Sequence, residues 1–202
     1  WAAAFFNYGG FLAGHDEFDN SVSQIAADPG GLLTEDGKPL FALTGNNHVT
    51  IGSPTGYFNS IVGDLTVTNM TTLHNLVGDT NGYLETGGRC DTVPNLLLVP
   101  VARAIDGKRI IGADGLAGTA NNDANNFRDY KQVVCPYLTD TNAWFLGRKA
   151  AGLTWWQGGP PLVVFQEDAQ RLSLSLVMQY EFGAQVSPGA WKFWGGSNLS
   201  TS

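Results

Sequence analysis

The sequence predicts an α+β fold, and three observations carry that expectation. Helix-period segments fall in the first half of the chain. Strand-like runs dominate after Tyr130. The stretch Arg171 to Phe182, RLSLSLVMQYEF, alternates apolar and polar residues as a strand with one buried face does. Helical and strand parts are thus segregated more than interleaved.

Trp1 to Leu12 reads as the end of an amphipathic helix, because Trp1, Phe5, Tyr8 and Leu12 recur at helical spacing. Gly9-Gly10 weakens it and Gly14 ends it. Asp28-Pro-Gly-Gly31 and Thr34 to Lys38 are turns before the apolar Pro39 to Leu43. Gly45 to Asn59 reads as a loop with one short strand around His48 to Ile51. Leu65 to Val77 reads as a second helix, capped by the Asp64 carboxylate. Asn81-Gly82 marks a turn-rich link.

Pro94-Asn-Leu-Leu-Leu-Val-Pro100 is a continuous apolar run between prolines, the pattern of a strand buried on both faces. Val101 to Ile111 follows as a helix whose inner side would be Val101, Ala104 and Ile105 with the Lys108 stem. Gly112 to Asn126 is rich in Gly and Asn and reads as a long exposed loop. Strands are then expected at Tyr130–Cys135, Ala143–Gly147, Leu162–Gln166, Arg171–Val186 and Ala190–Trp194. The alternation of Leu172, Leu174, Leu176, Met178, Tyr180 and Phe182 is broken once, at Val177. As one strand, Arg171 to Phe182 would reach about 40 Å, where ordinary strands have about five or six residues.

At 202 residues the chain suffices for one sizeable domain or two small lobes. Eighteen acidic against eleven basic residues leave a net charge of −7. No cationic run exceeds Arg148-Lys149, so a nucleic-acid clamp is not expected. No apolar stretch is long enough to span a membrane. The chain begins with Trp1 and reads as a segment of a longer one. Cys90 and Cys135 match no metal spacing. Cys135, in the run VVCP, reads as a buried thiol, and a disulfide with Cys90 stays open.

A search for chemistry yields no catalytic, cofactor-binding or metal set. His15-Asp16-Glu17 with Asp19 is a weak metal reading, because neighbouring side chains diverge. His48 and His74 have no partner fixed by spacing, and Glu167-Asp168 reads as a solvated turn. Gly112-x-x-Gly115-x-x-Gly118 is not a dinucleotide fingerprint, and no nucleophile elbow or phosphate loop occurs. Asn69-Met70-Thr71 and Asn198-Leu199-Ser200 are formal glycosylation sequons. Six tryptophans fit a sugar-stacking platform or interface anchors. An enzyme is therefore not expected. A long strand, a glycine-rich loop and many aromatics point to a subunit that works by assembly.

Several stretches, in order, carry a resemblance: WAAAFFNYGGF, DGKPLFAL, GDLTVTNM, PNLLLVPVARAI, the Gly/Asn-rich loop, YKQVVCPYLTDTNAWFLG, RLSLSLVMQYEFGA and WKFWGGS. The succession resembles tailed-phage major capsid proteins of the Mu-like major head subunit type, which have the Hong Kong 97 capsid fold. The resemblance spans about Trp1 to Ser197. It implies residues 1–19 as the end of a peripheral-domain spine helix, 20–142 as an axial domain and 143–202 as the peripheral β return. Arg171 to Phe182 would then lie beside the spine helix, its Leu face covered by Trp1, Phe5 and Leu12. The family's N-terminal arm and extended loop are absent from this stretch.

What the resemblance further implies is a shell of pentamers and hexamers of this chain. The shell encloses double-stranded DNA without sequence-specific binding, with scaffold, portal and decoration proteins as further partners. It implies no cofactor, no membrane, assembly in the host cytoplasm and residence in the virion. Two other readings stand beside it: a carbohydrate-binding β-rich module, and a cellular encapsulating shell of the same fold.

Overall fold

The computed structural model describes residues 40–42, 48–50, 53–84, 87–115, 124–136, 138, 140–160, 162–168, 173–187 and 189–197. The expected helix Trp1–Leu12, the turns before Leu40 and residues 1–19 lie outside them. Helices and strands combine as an α+β arrangement whose centre is a mixed five-stranded sheet.

Strand β4, Leu96–Pro100, is the reason for the sheet. Its neighbours are β5, Lys131–Cys135, in parallel and β6, Trp144–Gly147, in antiparallel. Beyond β6 lie β11, Trp194–Ser197, and the two-residue β3, Ser60–Ile61. The order is β3-β11-β6-β4-β5. Leu97 and Val99 point to one side with Trp144 and Leu146. Leu98 points to the other with Phe145, Cys135 and Trp194. Both faces are dry, which explains an apolar run without alternation. The boundary expected at 142/143 falls inside this sheet, because β6 and β11 share backbone ladders with β4 and β3.

Helix α1, Val67–Asn75, covers one side with Met70 and Leu73, and a wider π-type turn, Leu76–Thr80, continues it with Leu76 and Val77. The expected cap is corrected. The Thr66 hydroxyl, not the Asp64 carboxylate, accepts the Asn69 N–H at 3.2 Å. Asp64 contributes its main-chain carbonyl, which accepts from Asn69 Nδ2 at 2.8 Å. Trp194–Ser197 and not Ala190–Trp194 is the final strand, and Ala190–Lys192 is a 3-10 turn entered through left-handed Gly189. Gly195 lies so close beneath α1 that a Cβ would sit 2.7 Å from Val77 and 2.8 Å from Leu73. The glycines that obscure this strand in sequence are what admit the helix.

The Pro100–Gly112 segment opens with a 3-10 turn, Val101–Arg103, and continues as α2, Ala104–Gly112. Its inner side is not the expected one. Gly107 is buried over Leu97 and Gln132, and Ile110 and Ile111 pack on the core. Val101 and Ile105 are 61% and 70% exposed. A glycine, having no side chain, lets the helix backbone approach the sheet, so the helix rolls onto that face. Asn125 is tied to the end of α2. Its Nδ2 donates to Ile110 O at 2.5 Å and Ala113 O at 2.9 Å, satisfying carbonyls at the end of α2.

The expected single strand near His48 is a hairpin, β1 His48–Thr50 with β2 Ser53–Tyr57. The rest of the β structure forms two separate ladders. β7, Leu153–Gln157, which the sequence reading missed, pairs with β10, Phe182–Val186. β8, Leu162–Asp168, pairs with β9, Ser173–Gln179. The long strand expected from Arg171 to Phe182 is thus two strands parted at Tyr180 and Glu181. The partner chain bends at Gly159 and Pro160 between β7 and β8, so the ladder has to change partner there.

Asn59 ties the lobe together. Its carboxamide Nδ2 donates to Leu40 O at 2.8 Å, Trp194 O at 2.9 Å and Trp191 O at 3.1 Å, and its Oδ1 accepts from Ala42 N at 2.7 Å. It is fully buried, so losing the side chain strands several backbone groups without water. Asn59→Ala is expected to cost about 3 kcal/mol or more, read as a lower urea midpoint. The exposed Thr68→Ala control should move stability by about 0.5 kcal/mol or less.

Candidate functional site

The histidines and carboxylates weighed for chemistry do not converge. Among the described residues no group of three or more His, Cys, Asp or Glu is placed to hold a metal. His15, Asp16, Glu17 and Asp19 lie outside those residues. His48 is fully buried and stacks on Trp191, ring centroids 4.7 Å apart and planes 4° from parallel. Glu167 and Asp168 end β8 opposite Leu174 and Ser173, so they belong to a strand and not to the turn expected for them. Cys90 and Cys135 are both free thiols, and Cys135 is buried as expected. Trp144, Trp191 and Trp194 are core residues at 5% exposure or less, not a sugar-facing platform. The sequon Asn69-Met70-Thr71 lies within α1, with Met70 fully buried and the Asn69 amide committed to Asp64 O.

His74 does acquire a partner. It projects from α1 to Tyr130, with Nδ1 and the phenol oxygen 2.5 Å apart, and its ring meets Phe127 edge-on. Burial lowers the His74 pKa and raises that of Tyr130. With the imidazole neutral, Nδ1 accepts the Tyr130 hydroxyl proton. This pair joins α1 to the segment entering β5.

The feature that stands out is an exposed apolar ribbon. In β8–β9 the register places Val163 opposite Met178 and Phe165 opposite Leu176. Opposed residues share a face, and these four are 46%, 66%, 67% and 57% exposed. On the other face Leu162, Val164 and Val177 are 56%, 37% and 46% exposed. The expectation of a buried Leu face is corrected for Leu176 and Met178, which face solvent within the described residues. Trp1, Phe5 and Leu12, expected to cover them, lie outside those residues. A two-stranded ladder has no core of its own and is marginal in water. A contiguous apolar patch of this kind marks a surface made to be covered.

Sequence reasoning identified the alternation that makes this ribbon. It missed the polar clamps Asn59 and Asn125, whose only local sign is an amide residue beside aromatics, Phe58 and Phe127. No helix among the described residues is long and apolar enough to cross a membrane. No protein-family model matches the chain, and no curated protein matches it.

The His74 shift has a defined sign. A histidine whose folded pKa lies below its unfolded value of about 6.5 stabilises fully above that pH. Stability is lost as pH falls from about 6.5 toward the folded value, because only the unfolded chain takes the proton. The thermal midpoint should decline over that window, and His74→Gln should remove that part of the slope. An unchanged slope in the variant would assign it elsewhere.

Proposed function

We propose that this chain is a major capsid subunit with the Hong Kong 97 type of fold. In that reading it builds the icosahedral shell around the double-stranded DNA of a tailed phage. The observation that carries the reading is the β8–β9 ribbon, with Val163, Phe165, Leu176 and Met178 on one exposed face. A shell subunit needs large apolar surfaces that other chain segments and other copies cover. The ordered motif succession from Trp1 to Ser197 supports the same conclusion.

In this reading residues 20–142 form the axial domain and residues 143–202 the peripheral β return. Copies of the chain form pentamers and hexamers, met by scaffold, portal and decoration proteins. The assembled shell resides in the virion. The net charge of −7 lets the wall enclose DNA without gripping it.

Two measurements test this. Negative-stain microscopy of the full-length protein should show closed isometric shells or capsomer rings, and a stable glycan-binding monomer would overturn the reading. Purified subunit should retain little double-stranded DNA at physiological ionic strength, about 0.15 M. Tight, salt-sensitive retention would contradict a passive wall.

A further inference from the structure

The five-stranded sheet ends unequally. One edge is the two-residue β3, too short to template another strand. The other is β5, with five residues, and no described strand pairs with its outer side. Lys131 N–H donates to Asn95 O on the β4 side. By strand alternation the backbone groups of Gln132 and Val134 then point outward. Beside this edge, Ala104, Ile105, Lys108 and Arg109 of α2 share an open groove with Gln132 and Val134. Ile105 is 70% exposed and Val134 43%.

Charge gives the edge a direction. β4 and β5 are parallel, so the intervening α2 runs back against them. Lys108, at mid-helix, and Arg109, in the last turn of α2, line the groove beside Gln132 and Val134. Lys108 and Lys131 form no ion pair among the described residues. Arg109 makes one long contact, 3.9 Å, with Asp106. In a chain of net charge −7, the groove beside this edge carries Lys108 and Arg109, and the strand itself begins with the exposed Lys131.

We propose that the outer edge of β5 receives β8 of a second copy as an antiparallel strand. This rests on the reading that the chain assembles with itself and names one contact of that assembly. Antiparallel alignment sets Lys131 opposite Glu167, Gln132 opposite Gln166, Val133 opposite Phe165, Val134 opposite Val164 and Cys135 opposite Val163. Cation meets anion, amide meets amide, and three apolar pairs follow. Glu167 and Asp168 arrive at the Lys131 end of β5, alongside the groove that Lys108 and Arg109 line. Val164 continues the face of Val134 and Ile105, and Phe165 continues that of Val133, which packs on the core.

The same contact resolves both open features. The two-stranded β8–β9 ladder becomes part of a seven-stranded sheet, which relieves the instability of an isolated pair. An antiparallel strand on a parallel edge pair is a common arrangement. The contact joins different surfaces of two copies, so each copy has one donor and one acceptor left to propagate a ring.

The test is a charge exchange in the full chain, read by sedimentation velocity over a concentration series. Lys131→Glu alone and Glu167→Lys alone should each weaken association about fivefold. The combined variant should return to within about twofold of the unmodified chain. Val134→Pro removes an outward N–H at an edge position where proline is tolerated, and it should abolish the contact with the far-UV circular dichroism unchanged. If the combined variant is as weak as the single ones, or association ignores all these changes, the β5–β8 contact is overturned while the shell reading stands. An unmodified chain that stays monomeric at every concentration overturns both.

Discussion

One buried carboxamide holds the lobe closed. Asn59 reaches backbone groups of Leu40, Ala42, Trp191 and Trp194, from segments up to 135 residues away in sequence. Its own backbone joins in, with its N–H to Ala42 O and its carbonyl accepting from Gly196. Two amide protons serve three carbonyls, so one is shared. Without water the alternative for each of these groups is no partner at all, which is the costly case. The core cluster of Leu40, Phe41, Trp191 and Trp194 is assembled on this polar frame. Gly63 O works similarly on the other side, accepting from Trp144 Nε1 at 3.0 Å and Ser197 Oγ at 2.8 Å.

Against that satisfied lobe the β8–β9 ribbon is a contrast. The sheet buries both faces of β4 and β6, whereas the ribbon leaves Phe165 and Met178 two-thirds exposed. Burying such a side chain yields about 1.5–3 kcal/mol. Among the described residues, the β8–β9 ladder carries seven of the exposed large apolar side chains, from Leu162 to Phe165 and from Leu176 to Met178.

The edges of the sheet fit the same division. β3 ends the ladder after two residues, and short edges resist unwanted pairing. Among the described residues no strand pairs with the outer side of β5.

Residue chemistry by itself determined which segments must be buried and which must turn. The run Leu96–Val99 announced a strand dry on both faces, and the alternation through Leu174–Met178 announced a strand, though the face it predicted as buried is exposed at Leu176 and Met178. Cys135 was legible as a core thiol for the same reason. Only the tertiary structure decided the partners. It split the Arg171–Phe182 run where the opposite chain bends, and it turned Gly195 into a strand residue because α1 rests on it. It rolled α2 onto Gly107 and left Val101 and Ile105 outside, and it raised Asn59 from a loop residue to the central clamp. Periodicity records a side chain's preference for water or oil, which is local. Ladder partners, close approaches and polar clamps depend on residues a hundred positions away, and no window of sequence contains both members of the pair.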